Sequence, residues 1–394
     1  MKRIAIVGRG TVGCLSVAHY LRWTDWEIDW YYDPKIEPTP VGEGTNLTLP
    51  RTLSETLDFD SIVMDKISAI PKLGIWKRNW GSGGEFIHTF PSPYYGLHFS
   101  AVQFHDYYFD KLRSDRRVRT IETNIIEHEK IDADHVMICT GSPKNFDDYN
   151  LCGTIPVNSA MVFQCPWELP KFLYTLTFAK KYGWVFGIPL KNRCAIGYVF
   201  NEDFCTDSEI EDDVKDILQE FDLVPSLKRR LKFKNYVRKI NFSDRVCYNG
   251  NASFFLEPME ATSTGLAVYN NKISLSLWKI KEIDLNRANY LYTKMLNEIE
   301  SMILLHYYSG SVYDNEFWKY AKNSAREKIN SDFENKNLFS QAIKHTINSN
   351  DFHDSFNFEK ETEIGTWPLR SFKQNIDGLN IREDMKKLIS DHKI

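Results

Sequence analysis

The feature that most constrains the fold is a glycine-rich loop close to the beginning of the sequence. A short apolar run, Lys2 to Val7, is typical of a buried strand, and the loop Gly8-Arg9-Gly10-Thr11-Val12-Gly13 follows it directly. Cys14 to Trp23 then carries apolar residues at helical spacing, and Trp26 to Tyr32 is typical of a second strand. The order strand, glycine loop, helix, strand predicts a domain that binds a dinucleotide.

Each part of this loop has an expected contact. Glycines permit a tight turn and a close backbone approach to a pyrophosphate, which the N-terminus of the following helix attracts. We therefore expect the cofactor to bind along one short stretch, formed by Gly8, Gly10, Thr11, Val12 and Gly13. Asp33, 20 residues beyond Gly13, is where an acid would hydrogen-bond an adenosine ribose.

The segment after the second strand favours FAD over a nicotinamide cofactor. A simple nicotinamide domain continues into another crossover helix, whereas here a polar, glycine-rich stretch appears, Val41-Gly42-Glu43-Gly44-Thr45. We interpret it as an exposed strap. The chain returns to the sheet much later, at Ile138 to Gly141 and again around Tyr248 to Asn251. Late returns indicate a flavin domain with a substrate lobe inserted between its strands.

Composition excludes several other classes of protein. The chain has 394 residues, 42% of them hydrophobic, with a formal net charge of −4, so no global charge favours nucleic acid. No run of about 18 apolar residues predicts a membrane span. The seven cysteines are scattered without a CxxC motif, which argues against disulfides and against a metal site. A strand that begins within three residues of Met1 leaves no room for a signal peptide, so we expect a cytoplasmic protein.

Two polar features have both a structural and a functional interpretation. Lys228 to Lys239 holds seven basic residues in twelve positions, which a solvated surface explains better than a docking patch for an acidic partner. His105 and Asp106 lie near the start of a predicted helix over Phe104 to Leu112. They are better explained as a structural pair at the helix N-terminus than as an acid–base pair.

Four further motifs follow the strap in order along the chain. They are Pro71-Lys72-Leu73-Gly74-Ile75 with Asn79-Trp80, Gly183-Trp184-Val185-Phe186-Gly187-Ile188-Pro189-Leu190, Gly250-Asn251-Ala252-Ser253, and Phe255-Leu256-Glu257-Pro258-Met259-Glu260-Ala261-Thr262-Ser263. Together with the glycine loop and the strap, these motifs resemble those of the flavin-dependent halogenases of the tryptophan-halogenase type. Gly8 to Gly13 is similar to their GxGTxG loop, and Val41 to Thr45 to their VGEAT strap.

The resemblance implies an α/β fold with a Rossmann-like FAD-binding domain of the flavin monooxygenase type, an inserted substrate lobe and C-terminal helices. The whole chain, 1–394, would form one halogenase unit. Its FAD-binding core would be discontinuous, at about 1–60, 100–145 and 240–310. The substrate lobe would span about 61–99 and 146–239, and the C-terminal helical region about 311–394.

The resemblance also implies a chemistry. Reduced, non-covalently bound FAD from a separate flavin reductase would react with O2 to give a flavin hydroperoxide, and a halide ion such as chloride, bromide or iodide would convert it to hypohalous acid. Lys72 would polarise that acid beside a phenol- or indole-like substrate. Glu260 would stabilise the cationic ring intermediate and help remove its proton.

The remaining roles follow from the same likeness. Thr262 and Ser263 would bind halide through backbone N–H groups. Trp184, Phe186 and Pro189 would separate the flavin from the substrate. Further FAD contacts would come from Val41, Gly42, Glu43, Ile188, Gly250 and Asn251. An aromatic hydroxylase and an inactive flavin-binding protein remain as alternatives, and a homo-oligomer remains open.

Overall fold

The computed structural model describes residues 2–36, 42–82, 84–123, 128–348 and 367–394. These residues form two compact units. The first unit consists of Met1–Pro71, Gly96–Leu151 and Asn235–Lys294, and the second of Lys72–Tyr95, Cys152–Lys234 and Met295–Ile394. Each unit is therefore assembled from three separate stretches of chain.

Seventeen strands occur in the described ranges. In chain order they are β1 (Arg3–Val7), β2 (Glu27–Tyr32), β3 (Ile70–Lys72), β4 (Gly74–Arg78), β5 (Glu85–Thr89), β6 (Gly96–His98), β7 (Val118–Glu122), β8 (His135–Ile138), β9 (Tyr149–Leu151), β10 (Ser159–Pro166), β11 (Thr175–Lys180), β12 (Gly183–Pro189), β13 (Arg193–Phe200), β14 (Leu227–Lys232), β15 (Tyr236–Arg238), β16 (Val246–Tyr248) and β17 (Phe254–Phe255).

Twelve α-helices occur in the same ranges. They are α1 (Thr11–Trp23), α2 (Thr48–Thr56), α3 (Ser61–Lys66), α4 (Ala101–Arg113), α5 (Asp207–Asp213), α6 (Lys215–Glu220), α7 (Thr262–Leu275), α8 (Leu285–Ser309), α9 (Glu316–Glu334), α10 (Leu338–Asn348), α11 (Leu369–Gly378) and α12 (Arg382–Asp391). Short 3-10 turns lie at His128–Lys130, Gly250–Ala252 and Met259–Ala261, and a π-turn at Ser276–Ile280 extends α7.

The first unit is built on a five-stranded, fully parallel sheet in the order β16-β8-β1-β2-β7. The strand β1 is apolar from Ile4 to Val7 and completely buried, as a central parallel strand requires. Its neighbours are β2, which follows it after α1, and β8, which the chain reaches only after passing the far edge at β7. The strand order therefore reverses at β1, and in such sheets ligands bind at the carboxyl ends of the strands beside the reversal.

These elements confirm the strands and the helix expected near the glycine loop, and the late returns at β8 and β16. They also confirm the α/β class. A second, antiparallel sheet of the same unit has the order β17-β15-β9.

The second unit contains a seven-stranded sheet in the order β14-β10-β13-β12-β11-β4-β5. All neighbouring pairs are antiparallel except β11 and β4, which are parallel. The alternation of apolar and polar residues from Gly183 to Phe200 around Lys191 and Asn192 predicts a hairpin, which is present as β12 and β13. One face of the sheet carries Val185, Ile196 and Tyr198, which pack in a core with Ile210 of α5 and Ile217 of α6.

The C-terminal part of the second unit is largely helical, which confirms the C-terminal helices that the resemblance implied. A buried polar cluster joins these helices to the sheet. The ammonium of Lys77 on β4 lies 2.5 Å from Nε2 of His306 on α8 and 2.7 Å from Oδ1 of Asn375 on α11. Because His306 Nδ1 lies 3.0 Å from the carbonyl oxygen of Met302, the imidazole donates there and accepts from Lys77.

The basic run from Lys228 to Lys239 forms ion pairs with acids of its own unit. In the second unit Lys228 pairs with Glu211, Arg230 with Glu202 and Asp207, and Lys232 with Glu202; in the first, Arg238 pairs with Asp148. Much of the positive charge is therefore already neutralised, which supports a solvated surface. None of the helices in the described ranges has the length and apolar character needed to cross a membrane.

Candidate active site

The glycine loop connects the carboxyl end of β1 to α1, beside the reversal of strand order. Gly8 has φ +113°, and a Cβ there would lie 2.3 Å from the carbonyl oxygen of Cys139. A Cβ at Gly13 would lie 2.0 Å from the carbonyl oxygen of Gly8. At Gly10, no atom of the described chain lies within 4 Å of the Cβ position. The protein itself therefore requires glycine at 8 and 13, while the open space at 10 suits the approach of a ligand.

The N-terminus of α1 is available to an anion. Gly10 is the N-cap residue, and no side chain of the described residues caps the helix there. Uncapped N–H groups and the helix dipole favour negative charge at this position. Thr11, the first helical residue, has its hydroxyl oxygen 2.7 Å from Nε2 of His105. Asp33 is half-exposed after β2 and accepts the backbone N–H of Lys35 at 2.9 Å.

A second glycine-containing turn meets this loop within the first unit. Gly250 follows β16 with φ +58°, and a Cβ there would lie 2.9 Å from Cγ2 of Val12. The turn is held by Asn249, whose Oδ1 accepts the N–H of Gly250 and whose Nδ2 donates to the carbonyl of Ala267. Asn251 is exposed, and its carbonyl oxygen accepts the Tyr236 hydroxyl at 2.7 Å.

The strap interpreted as exposed is partly buried, so that interpretation is corrected. Val41 lies outside the described residues, and Gly42 is exposed with φ +79°. Glu43 is only 1% exposed. Its Oε1 accepts the N–H of Ala101 at 3.2 Å, at the N-terminus of α4, and its carbonyl accepts the N–H of Phe99. A carboxylate at a helix N-terminus stabilises the helix, which explains the burial.

The motif before α7 has an unusual backbone. Glu260 has φ 64° and Ala261 φ 52°, so two consecutive residues other than glycine adopt a left-handed conformation. Such residues cost of order 1–3 kcal/mol each and cluster at functional sites. The Glu260 side chain is 8% exposed, and the neighbouring Glu257 is also buried.

The two left-handed residues lead directly into the N-terminus of α7, a helix of 14 residues. No side chain in the described part of the chain caps it. Thr262 is buried and Ser263 exposed. The hydroxyl of Thr264, in the same turn, is buried without a hydrogen-bond partner among the described residues. Free backbone donors and an unsatisfied hydroxyl make this turn suitable for a small anion.

Lys72 is placed differently from an ordinary surface lysine at the start of a strand. It is the last residue of β3, and it is only 1% exposed. Its ammonium lies 5.6 Å from the ring centroid of Phe90, in the second unit like Lys72 itself. Phe90 donates its N–H to the carbonyl of Leu73, which fixes the ring beside the lysine. A buried cation against an aromatic face is well suited to polarise a neighbouring reagent.

Two of the three residues of the predicted flavin wall, Trp184 and Phe186, lie on one face of the seven-stranded sheet. Trp184, Phe186 and Ile188 alternate along β12, away from the core formed with α5 and α6. Trp184 is buried, Phe186 and Ile188 are half-buried, and the rings of the two aromatic residues are 6.2 Å apart. Pro189 is buried at the end of the strand. Phe186 faces Gly197 on β13.

Within the first unit, the structure brings the loop at Gly8 to Gly13 together with Gly250. Three residues to which the sequence reasoning assigned no role lie beside predicted site residues: Phe90 near Lys72, Gly197 opposite Phe186, and Thr264 in the first turn of α7. Only Gly197 had a usable signal, because the predicted hairpin already pairs it with Phe186. No three His, Cys, Asp or Glu side chains in the described ranges are grouped so that they could bind a metal ion.

Comparison with known sequences gives a match over most of the chain. A sequence model of the family described as tryptophan halogenase matches residues 3–150 and 144–363. A tryptophan 6-halogenase of Streptomyces toxytricini is 28% identical over 185 residues, which are 44% of this chain and 34% of that protein. A 7-chloro-L-tryptophan 6-halogenase of a Kutzneria species is 25% identical over 233 residues, 54% of this chain and 43% of that protein. The matched segments thus span less than half the length of these relatives.

Solved structures extend the comparison to the whole fold. A flavin-dependent halogenase from Xanthomonas campestris superposes with a TM-score of 0.77 over 100% of this chain and 95% of its own, at 17% identity. At that identity the likeness shows the fold, which is that of a flavin-dependent halogenase with its Rossmann-like domain, as the sequence predicted. The match to the family model covers well over half of the residues, and it therefore shows the family as well as the fold. The chain belongs to the tryptophan halogenase family.

Proposed function

We propose that this protein is a flavin-dependent halogenase that uses reduced FAD, O2 and a halide ion to halogenate a phenol- or indole-like aromatic compound. Membership of the family supports the class of reaction. The observation that carries the proposal is Lys72, a lysine that is 1% exposed and lies against the ring of Phe90. A flavin enzyme that only hydroxylates has no need of a buried ammonium, whereas an electrophilic halogen reagent needs a hydrogen-bond donor to activate it.

The residues of the first unit fit FAD. The open space at Gly10, the uncapped N-terminus of α1 and the position of the loop beside the strand reversal suit a pyrophosphate. Asp33 would bond the adenosine ribose, and Gly42, Glu43, Gly250 and Asn251 would complete the contacts. Bound in its reduced form, FAD would pass two electrons to O2, and the activated oxygen would then oxidise a halide ion to hypohalous acid. A separate flavin reductase would provide the reduced cofactor.

The turn at the start of α7 is the proposed halide site. No side chain among the described residues caps α7, so the backbone N–H groups of its first turn, directly after the two left-handed residues, suit an anion. Thr262 and Ser263 contribute backbone donors there, and the unsatisfied Thr264 hydroxyl could add another. The proposed site needs no side chain at position 261 beyond the methyl group of Ala261, because the donors are main-chain groups.

Lys72 and Glu260 are the proposed catalytic residues. The Lys72 ammonium would donate a hydrogen bond to hypohalous acid and draw electron density from the halogen. The Glu260 carboxylate would stabilise the cationic ring that forms on halogen addition and accept the proton that leaves it. The face that carries Trp184 and Phe186, with Pro189 at the end of β12, would keep the aromatic substrate from the flavin, which prevents direct hydroxylation. Activation of the halogen reagent, removal of the ring proton and exclusion of the substrate from the flavin would therefore be carried out by different residues.

The proposal is tested with purified protein, a flavin reductase, FAD, O2 and bromide or chloride, against a panel of phenols and indoles. We expect a product that carries one halogen, identified by its isotope pattern in mass spectrometry, and no product without halide. A hydroxylated product that forms without halide would instead make the protein an aromatic hydroxylase. Bound FAD with no product from any substrate would make it an inactive flavin-binding protein, and either result rejects the proposal.

A further inference from the structure

We propose that His105 is a positioning residue that aims the hydroxyl of Thr11 at the FAD pyrophosphate. The inference rests on the proposed binding of FAD at the glycine loop. His105 lies in the second turn of α4 and is 4% exposed, and its Nε2 is 2.7 Å from Oγ1 of Thr11. Thr11 is the first residue of α1, directly after the open Gly10. His105 therefore lies beyond the first turn of α4 and contacts a different helix, whereas the sequence placed it in a structural pair at the helix N-terminus.

The imidazole of His105 is neutral at physiological pH. Burial, and to a lesser extent the positive charge of Arg9, lower the pKa of His105 to about 4. A neutral imidazole has a single N–H, so only one ring nitrogen can donate. The direction of the hydrogen bond to Thr11 therefore depends on which nitrogen carries that proton.

The surroundings of Nδ1 determine the tautomer. This atom is buried and has no hydrogen-bond partner among the described residues. A buried N–H without an acceptor is rarer in proteins than an unsatisfied acceptor, so the proton belongs on Nε2. His105 thus donates to Thr11, and the Thr11 hydroxyl directs its own hydrogen elsewhere. The hydroxyl and the backbone N–H groups of the first turn of α1 are then all hydrogen-bond donors, so that the loop offers only donors to an anion.

The nearby charges suit this arrangement. The guanidinium of Arg9 lies 5.5 Å from the ring centroid of Tyr32 and 5.7 Å from that of Phe109, within the same unit. Asp106 and Asp110, the acids of α4 closest in sequence to His105, are exposed. A carboxylate at position 105 could not donate to Thr11 and would repel a phosphate. A neutral histidine can orient the hydroxyl without adding negative charge.

The proposal is tested by a double-mutant cycle on the affinity for FAD. Thr11→Val removes the hydroxyl at nearly constant volume, and His105→Phe keeps a ring but removes the donor. We expect each variant to raise the dissociation constant of FAD about tenfold, because a hydrogen bond to a charged group is lost. In the Thr11→Val background, His105→Phe should change the dissociation constant of FAD by less than about twofold, because the hydroxyl through which His105 acts is gone.

Rescue variants and a control separate this role from a general effect on folding. His105→Gln, whose amide nitrogen reaches close to the Nε2 position, and Thr11→Ser should both retain affinity near that of the parent. His19→Phe changes another buried histidine of the same unit and should leave affinity unchanged. The melting temperature of each FAD-free variant shows whether the fold is intact. Additive effects in the cycle, or full affinity in His105→Phe, would overturn the inference.

A second measurement needs no cofactor. In protein labelled with 15N-histidine, the nitrogen shifts of His105 should identify the tautomer protonated at Nε2. A proton on Nδ1 overturns the inference even if FAD binds normally. If the parent protein binds no FAD at all, the proposed function fails as well, whereas normal binding by the parent and by His105→Phe rejects only the role of His105.

Discussion

The ring of Phe186 lies directly over Gly197, its partner on the neighbouring strand. A Cβ at position 197 would be 1.9 Å from Cζ of Phe186 and 2.3 Å from Cε1. The glycine therefore provides the space that the ring occupies. Trp184 flanks that ring at a centroid distance of 6.2 Å, so the position of Phe186 is set from two sides.

Gly197→Ala should displace the Phe186 ring and destabilise the protein by about 1–3 kcal/mol, as overpacked sites do. Urea unfolding measures the loss. In a Phe186→Ala background the same substitution should cost much less, because the obstructing ring is gone. Gly153→Ala is the matched control, since no atom of the described chain lies within 4 Å of its Cβ position. Equal costs at 197 and 153 would contradict the contact.

Substitution by alanine should change the stability of the FAD-free protein at one glycine of the loop and leave it almost unchanged at another. Gly13→Ala places a Cβ 2.0 Å from a backbone oxygen and should destabilise the FAD-free protein by about 3 kcal/mol or more. Gly10 has φ −68° and open space around its Cβ position. Gly10→Ala should therefore change the free energy of unfolding of the FAD-free protein by no more than about 0.5 kcal/mol.

The same Gly10→Ala variant should weaken FAD binding by about tenfold or more, because the methyl group occupies the space of the closely approaching pyrophosphate. Calorimetric titration with FAD measures this. Unchanged affinity would show that the cofactor does not approach Gly10.

The local elements of the fold could be predicted because they depend on neighbouring residues. The strand–loop–helix–strand order at the start of the chain and the hairpin at Lys191-Asn192 follow from periodicity and turn residues. The pairing of Phe186 with Gly197 follows as well, since both are equally distant from the centre of that hairpin.

Contacts between distant parts of the chain could not be predicted in this way. Thr11 and His105 are 94 positions apart and meet only because α4 packs beside α1. Glu43 was assigned to an exposed strap, yet it is buried because it stabilises the N-terminus of α4. The burial of Lys72 does not follow from its spacing, since strand periodicity cannot tell which side later becomes covered. Burial of a polar group depends on partners that sequence spacing does not reveal.

Acid should destabilise the first unit through its buried histidines. Burial is the main cause that lowers the pKa of His19 to about 3 and of His105 and His135 to about 4. Below the ordinary value of 6.5 the unfolded chain takes up protons that the folded chain does not. The free energy of unfolding should therefore fall as pH decreases from about 6.5 toward 4, with a slope approaching about 1.4 kcal/mol per pH unit for each histidine.

His135→Phe provides a matched test of that slope. His135 is stacked between Trp26 and Trp278, at centroid distances of 5.1 and 4.6 Å, and phenylalanine can keep both contacts without titrating. Urea unfolding between pH 7 and 5 measures how the free energy of unfolding depends on pH. For this variant the dependence should be weaker, by the amount that uptake of about one proton on unfolding would cause. An unchanged slope would mean that His135 does not contribute.

Lys72→Met should abolish substrate halogenation while leaving FAD binding unchanged, and hypohalous acid should still be detectable with a soluble trap. Lys77→Met is the matched control, because Lys77 is also a fully buried lysine of the second unit. That variant leaves His306 and Asn375 without their lysine partner and should lose about 1–3 kcal/mol of stability. The folded fraction should still halogenate. Activity that survives in Lys72→Met would remove Lys72 from the catalytic role.

The left-handed conformation of Ala261 predicts that stability and halide binding change in opposite directions in one variant. Ala261→Gly removes the steric cost of φ 52° and should raise the free energy of unfolding by up to about 1 kcal/mol. Ala267→Gly, in the middle of α7, should lower it by about 1 kcal/mol or more, since glycine is a poor helix former.

Glycine at 261 also allows the turn before α7 to sample other conformations. If that turn holds the halide through its backbone N–H groups, the more stable Ala261→Gly protein should require a higher bromide concentration for half-maximal activity. Bromide titration of the halogenation rate, beside urea unfolding of the same variant, separates the two effects. Destabilisation by Ala261→Gly would contradict the strained backbone, whereas unchanged bromide dependence would place the halide elsewhere.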